Sequence, residues 1–318
     1  MKRREFIKKT GQATLLAAAT GATGLFFHNR QSGFYQKPAP IKKDFTIPTD
    51  PLLPKIALAE NENHIAALHK TLDALGGIKR FIQPGEKVVI KPNIGWDRTP
   101  EQAANTNPVL VGEMARLCIE AGASEVIVTD VTCNSAPRCY LRSGIKEAAE
   151  KAGAKAILPR DEDYLQADLG GILLTDWPVL KHFIETDKLI NMPIVKDHSL
   201  SRCTIGMKNL YGILGGRRNQ LHQQIDQSIV DLARYCAPTL TVVDATRVLL
   251  RGGPTGGSLD DVAITNSVIC ATDQVAADAR GAEFLDLIPD QIGHIVLAQK
   301  SGLGQIDYKT AGYKEIIS

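Results

Sequence analysis

The stretch NMPIVKDHSLSRCTIGMKNLYG, residues 191–212, opens as an apolar run and then brings Lys196, Asp197, His198, Arg202, Lys208 and Asn209 close together. A lysine at the mouth of a buried strand is costly unless it meets a carboxylate or a negatively charged ligand. An imidazole beside it, with an ordinary pKa of about 6.5, is suited to moving protons. These residue types point to a site for an anion or a divalent metal, with His198 as its acid or base.

Three other apolar runs also end in polar residues: KVVI in Lys91-Pro92-Asn93, EVIVT in Asp130, and TLTVV in Asp244. In open parallel sheets, ligands bind beyond the carboxyl ends of the strands, where loops converge and helix amino termini point inward. The four ends are therefore expected to meet at one rim. His198, Lys196 and Asp130 are the expected catalytic groups, and Lys91, Asn93, Lys208, Asn209, Arg217 and Asp244 the expected ligand-binding groups.

The segment YGILGGRR, residues 211–218, can expose successive backbone N–H groups to an anion while Arg217 or Arg218 clamps it, or can be an ordinary glycine-rich connection. It lacks the spacing of a Walker loop or a dinucleotide fingerprint. His222 is expected to open the next helix with Asp226 four residues on, so that the two share a face and the carboxylate orients the imidazole. His198 and His222 are the candidate metal ligands. RGGPTGG, residues 251–257, reads as a lid or as a long turn, and Asp273 as a helix cap.

The elements that must position these groups alternate short apolar runs with amphipathic segments, the pattern of an α/β fold with a mainly parallel or mixed sheet and helices on both faces. Strands are expected at 55–60, 87–93, 125–130, 155–158, 188–195 and 239–245, with 262–271 as a later hairpin or edge element. Near-continuous apolar runs imply burial on both faces. Helices are expected at about 62–75, 107–121, 142–152, 219–236, 273–286 and 290–300. Leu221, Ile225, Ile229, Leu232 and Cys236 mark the apolar stripe of one of them. Residues 55–318 form a single expected domain, with an irregular insertion near 159–187.

The first segment, MKRREFIKKTGQATLLAAATGATGLFF, sets Arg3 and Arg4 ahead of a weakly apolar, glycine-interrupted stretch, the pattern of a twin-arginine export signal over residues 1–30. Residues 31–54 read as a Pro-rich linker. A periplasmic location follows, with membrane anchoring if the signal is retained. The chain has 318 residues, with 37 Lys and Arg against 35 Asp and Glu. Without residues 1–30 there remain 31 bases against 34 acids, and a net charge near −3 gives no reason to expect nucleic acid as a partner.

Six cysteines lie scattered without the close clusters that hold an iron–sulfur centre, so no such cluster is expected in this chain. Cys133 and Cys139 either close a short disulfide loop or remain thiols. Cys118, Cys236 and Cys270 sit in apolar patterns and read as core residues.

Lys91-Pro92-Asn93, Asn105-Thr106-Asn107-Pro108, then Asn191, Pro193, Lys196 and His198, then Lys208-Asn209 with Gly212, His222, Gly253-Pro254 with Gly257, and Asp273 with Asp278, in that order, resemble the family called domain of unknown function 362. The resemblance runs from about Lys87 to Gly304. It implies export by the twin-arginine route, common among members, and a fold and a site without a named reaction. Many members carry a ferredoxin-like module with two four-iron clusters, and no such module is read in this sequence. Two functions remain in view: an exported enzyme acting on an anionic small molecule or through a bound divalent metal, and a non-catalytic binding or maturation partner of an iron–sulfur or other redox protein.

Overall fold

The computed structural model describes residues 44–310 and 312–317, so the expected export signal, residues 1–30, and residues 31–43 of the expected linker lie outside the described residues. Strands form where the apolar runs predict them: Ile56–Glu60 (β1), Lys87–Pro92 (β2), Glu125–Val128 (β3) and Lys155–Ala156 (β4). Residues 159–187 are more regular than expected. Tyr164–Asp168 (β5) and Asp176–Leu180 (β6) pair as an antiparallel ribbon. There follow Lys188–Met192 (β7), Ile194–His198 (β8), Arg202–Thr204 (β9), Leu240–Leu249 (β10), Val262–Ala271 (β11) and Tyr313–Ile317 (β12).

The main sheet runs β12-β1-β11-β10-β7-β2-β3-β4. Every neighbour in that order is parallel except β11, which is antiparallel to β1 and β10 on either side. The fold is thus α/β with a mixed, mostly parallel sheet. Strand 262–271 is the hairpin partner of β10, and it lies in the middle of the sheet rather than at its edge. Alternate strand residues face opposite cores, as a two-sided sheet requires. Ile56, Leu58, Val89 and Val243 pack on the side of the helices Ile225–Tyr235, Gln274–Ala282 and Gly293–Lys300. Ala57, Val88, Ile90 and Val242 pack on the side of His64–Ala74 and Pro108–Glu120.

Two helix expectations change. The helix expected at 142–152 runs over Ile145–Lys151, and a separate helix, Ala136–Arg142, precedes it; Gly144 between them has a φ of 71°, a conformation that favours glycine. The 219–236 segment begins as a 3-10 turn, Arg218–His222, and becomes α-helical only over Ile225–Tyr235.

What positions the site is a break at Pro193. Proline has no N–H for the ladder, and the run expected at 188–195 divides there into β7 and β8. β7 pairs with β10 at Leu240 and Thr241; beyond the break, β8 pairs with it at Asp244 and Leu249. β8 and β10 therefore continue past the end of β2, and β9 folds back on β8 with Lys196 opposite Thr204 and His198 opposite Arg202. This projecting hairpin carries the charged stretch above the sheet.

The same overshoot corrects the role of Asp244. Because β10 runs on to Leu249, Asp244 is a mid-strand residue, fully buried, and its carboxylate accepts the N–H of Asn107 at 2.8 Å and both the N–H and hydroxyl of Thr246 at 2.9 and 2.7 Å. Burial pushes its carboxyl above the usual range, against the pull of those donors. It ties β10 to the start of the helix Pro108–Glu120. Asp244→Ala, which leaves two buried N–H groups unpaired, is expected to lower the unfolding free energy by about 2–4 kcal/mol, measured as a lower urea midpoint with an unchanged slope.

Candidate functional site

Beyond the carboxyl ends of β2, β3 and β8 lies a cleft of about 530 Å³. Asn93, Asp130, Lys196, His198, Lys208, Asn209, Arg217 and His222 of the expected site line it; Lys91 lies beneath its floor and Asp244 lies elsewhere.

The floor is an ion pair. Lys91 on β2 is completely buried, and its ammonium donates to Asp130 Oδ1 at 2.6 Å and to the Pro92 carbonyl at 3.1 Å. The other Asp130 oxygen accepts the Ile94 N–H at 2.7 Å. Burial lowers the pKa of Lys91 even though Asp130 pulls it up. Gly212 presses onto this pair from above. A Cβ there would stand 2.7 Å from the Lys91 nitrogen and would overlap Asp130 Oδ1. That close approach is why the turn after Lys208 carries a glycine.

Next to the pair is a set of asparagines. Asn209 accepts from Asn93 Nδ2 at 2.9 Å and donates to Asn191 Oδ1 at 2.8 Å, and Asn191 Nδ2 donates to the Gly206 carbonyl at 2.8 Å. This satisfied network fixes the short helix Gly206–Asn209 against β2 and β7. Asp278 holds the start of that helix by accepting the Gly206 N–H at 2.7 Å. Asp273, as expected, caps its own helix, accepting from Val275 and Ala276.

Two further lysines stand over the floor. Lys196, 1% exposed, donates to Asn93 Oδ1 at 3.1 Å and to the Ala104 carbonyl at 2.6 Å. Lys208, 8% exposed, has no hydrogen-bonding or carboxylate partner among the described residues, and its ammonium lies 3.6 Å from the centroid of the Tyr211 ring. Burial lowers both to about 7, and repulsion from Lys91, and for Lys208 also from Lys196 and Arg218, acts in the same direction. The cation–π contact with Tyr211 favours the charged form.

His198 differs from its expected role. Its Nδ1 accepts the N–H groups of Leu200 at 3.2 Å and Ser201 at 3.3 Å. A neutral ring so held keeps its proton on Nε2. Burial, with Lys208 and Lys196 nearby, pushes its pKa down to about 3. At neutral pH His198 is therefore an uncharged Nε2–H donor rather than a titrating acid or base. His222 stacks on it at 6.2 Å between ring centroids and meets the Tyr211 edge at 5.7 Å; burial lowers its pKa as well.

The His222–Asp226 pair does not form, because the two lie on different elements. His222 Nδ1 contacts the Asn219 carbonyl at 3.3 Å, and Asp226 lies 3.7 Å from buried His294. The expected pair of metal ligands fits poorly: Nδ1 of His198 is occupied by backbone donors, its Nε2 carries the proton, and the surrounding charge is cationic. Among the described residues no cluster of three or more His, Cys, Asp or Glu side chains could hold a metal ion.

Several wall residues were not read from sequence. Tyr211, Trp96 and Cys133 line the cleft. Of the two arginines, Arg218 is fixed on the carbonyls of Val131 and Thr132 at 2.9 and 2.6 Å, and Arg217 is exposed at the mouth. Tyr211 sits three residues beyond Lys208, the spacing that places the two on one helical face, and that was the available signal. The thiols of Cys133 and Cys139 are both free; the first is exposed and the second buried. Loop 251–257 is a fixed wall, with the Gly253 N–H on Asp197 Oδ2 at 3.0 Å and the Gly256 and Gly257 carbonyls held by Arg98 and Gln102.

The model of a family described as domain of unknown function (DUF362) matches residues 88–283. A thylakoid-associated protein of Synechocystis sp. is 26% identical over 253 residues, 75% of each chain. The lactate racemase apoprotein from Thermoanaerobacterium thermosaccharolyticum superposes with a TM-score of 0.44 at 13% identity, covering 75% of this chain and 58% of that one.

Lys208 has a stability cost that can be measured. Its folded pKa of about 7 lies below the unfolded value of 10.5, so the folded state binds fewer protons between those limits and stability rises with pH across that window. Lys208→Met is expected to be more stable than the wild type at pH 7 by about 1–3 kcal/mol. The difference should shrink towards pH 10, as followed by urea unfolding in low-salt buffer. A variant less stable at pH 7 would contradict this account.

Proposed function

The chain belongs to the domain of unknown function 362 family, and we propose that its cleft is an active site that takes an anionic small molecule and moves a proton on it. The carrying observation is Lys208, a largely buried side chain whose ammonium lies on the cleft wall against Tyr211, with no carboxylate or hydrogen-bonding partner among the described residues. With Asp130 committed to Lys91, Lys196, Lys208, Arg217 and Arg218 leave the lining cationic. A bound carboxylate or phosphate would supply the missing counter-charge. That same cationic wall favours an anion over a metal.

The roles divide by protonation. His198, neutral with Nε2–H, would donate to an oxygen that gains negative charge, the use to which an uncharged imidazole is suited. Lys208, balanced near neutrality, would exchange the proton, since transfer is most efficient when a group titrates near the working pH. Asn209 would hold the helix that carries Lys208, and Asn93 would hold Lys196. Lys91 and Asp130 would hold the floor.

Titration calorimetry with oxalate tests the anion site. The anion should raise the pKa of Lys208, so binding at pH 8 is expected to take up a proton, read as a heat that changes with the ionisation enthalpy of the buffer. Lys208→Met should bind at least about tenfold more weakly, roughly 1.4 kcal/mol, and lose the uptake. Absence of binding by the wild type to oxalate and to inorganic phosphate would remove the proposal.

We also propose export. Arg3-Arg4 at the head of a weakly apolar stretch supports the twin-arginine route, and the thylakoid association of the Synechocystis relative favours a site at or beyond a membrane. Among the described residues no helix is long and apolar enough to cross a membrane. Replacing both arginines by lysine should leave the protein in the cytoplasmic fraction of its host; unchanged fractionation would count against this route.

A further inference from the structure

Three lysine amines gather at this rim, and their surroundings set them apart. Lys91 is held by Asp130 and lies under the floor. Lys196 is held by the Asn93 and Ala104 oxygens, which commit its nitrogen to two hydrogen bonds. Only Lys208 has its nitrogen uncommitted, resting against the face of an aromatic ring in a cleft that also contains a neutral imidazole N–H donor. A lysine becomes a nucleophile when desolvation and neighbouring cations disfavour its ammonium, and both conditions hold at Lys208.

We propose that Lys208 is a catalytic nucleophile that forms an iminium with the carbonyl carbon of a small 2-oxo carboxylate bound in the cleft. The carboxylate group supplies the negative charge that Arg217 at the mouth and Lys196 within can face. The bound carboxylate favours the ammonium, so Lys208 first gives its extra proton to solvent; the neutral amine then adds its electron pair to the carbonyl carbon, and the carbon–oxygen π pair moves to oxygen. His198 Nε2–H donates a hydrogen bond to that oxygen as it becomes negative. Proton transfer from nitrogen to oxygen gives a carbinolamine. A further proton taken from solvent lets the hydroxyl leave as water while the nitrogen pair closes the carbon–nitrogen double bond. Amine, carbonyl and one proton become iminium and water, so no oxidant or reductant is required. The inference rests on the anion-binding reading of the same cleft.

Trapping tests it directly. The purified full chain is incubated at pH 7 with glyoxylate and sodium cyanoborohydride, and carboxymethylated lysines are followed by peptide mass mapping. An amine titrating near 7 has on the order of 10³ times more free base at that pH than one near 10.5. Lys208 should be labelled at least about tenfold faster than the exposed Lys79 and Lys151, and oxalate should protect it. Lys208→Arg keeps the charge and should abolish that label. Labelling of Lys208 no faster than that of Lys79, or faster labelling at Lys196, overturns the inference, and neither result requires the variant to fold. If oxalate still binds in that case, the anion-binding reading survives; if it does not, both fall.

Discussion

Three ammonium groups are withdrawn from water at one rim of this sheet, and one carboxylate is set against them. A buried charge is tolerated when it is paired and costs several kcal/mol when it is not. Asp130 meets the need of Lys91 at 2.6 Å, which leaves Lys196 with two carbonyl-type oxygens and Lys208 with an aromatic face. The imbalance is fixed by close packing rather than by a mobile surface: Gly212 lies too close to the Lys91–Asp130 pair to admit a methyl group, and the asparagine set holds the helix that carries Lys208. The helix is fixed and Lys208 lines the cleft, so an anion entering there would meet its ammonium.

The fold makes room for this arrangement by ending its strands unevenly. β2 and β3 stop at the rim, while β8 and β10 pass it after the interruption at Pro193. The short strands form the floor, and the projecting hairpin with the 251–257 loop forms a wall. Cores on both faces of the sheet anchor the short strands, so the unpaired charge at the rim sits on packing that the rim does not disturb. A cleft built between long and short strands of one sheet needs no second lobe.

Much of this was legible in residues 87–245. β-branched runs mark β2, β3 and β10, and polar strand ends mark Lys91, Asn93, Asp130, Lys196 and His198, because a strand buried on both faces leaves charge nowhere else to go. Asp244 was misread for a physical reason: sequence shows where an apolar run stops, whereas pairing with β8 and β11 carries β10 on through polar residues. His222 and Asp226 were misread because a four-residue spacing has meaning only inside one continuous helix, and residues 218–222 form a 3-10 turn instead. Residues 159–187 lack strong periodicity because their ribbon is stabilised by packing against the main body, including a bridge between Val179 and Leu214. The contact of Lys208 with Tyr211 was within reach, and its importance was not, since it depends on the absence of any other partner.

His198 shows how burial reorders the chemistry that residue types suggest. In water a histidine titrates near neutrality and a lysine far above it. Here the same desolvation and the same mutual repulsion lower all of these bases together, bringing Lys196 and Lys208 to about 7 and His198 to about 3. The order is kept while the whole scale moves, so the lysines occupy the range where histidine usually works and the histidine becomes a fixed dipole. An entering anion opposes both causes at once, since it supplies counter-charge where repulsion acted and favours the ammonium that burial disfavoured. Ligand charge and lysine protonation are thereby coupled: the more negative the bound species, the more readily Lys208 holds a proton, and the loss of negative charge during a reaction would release it.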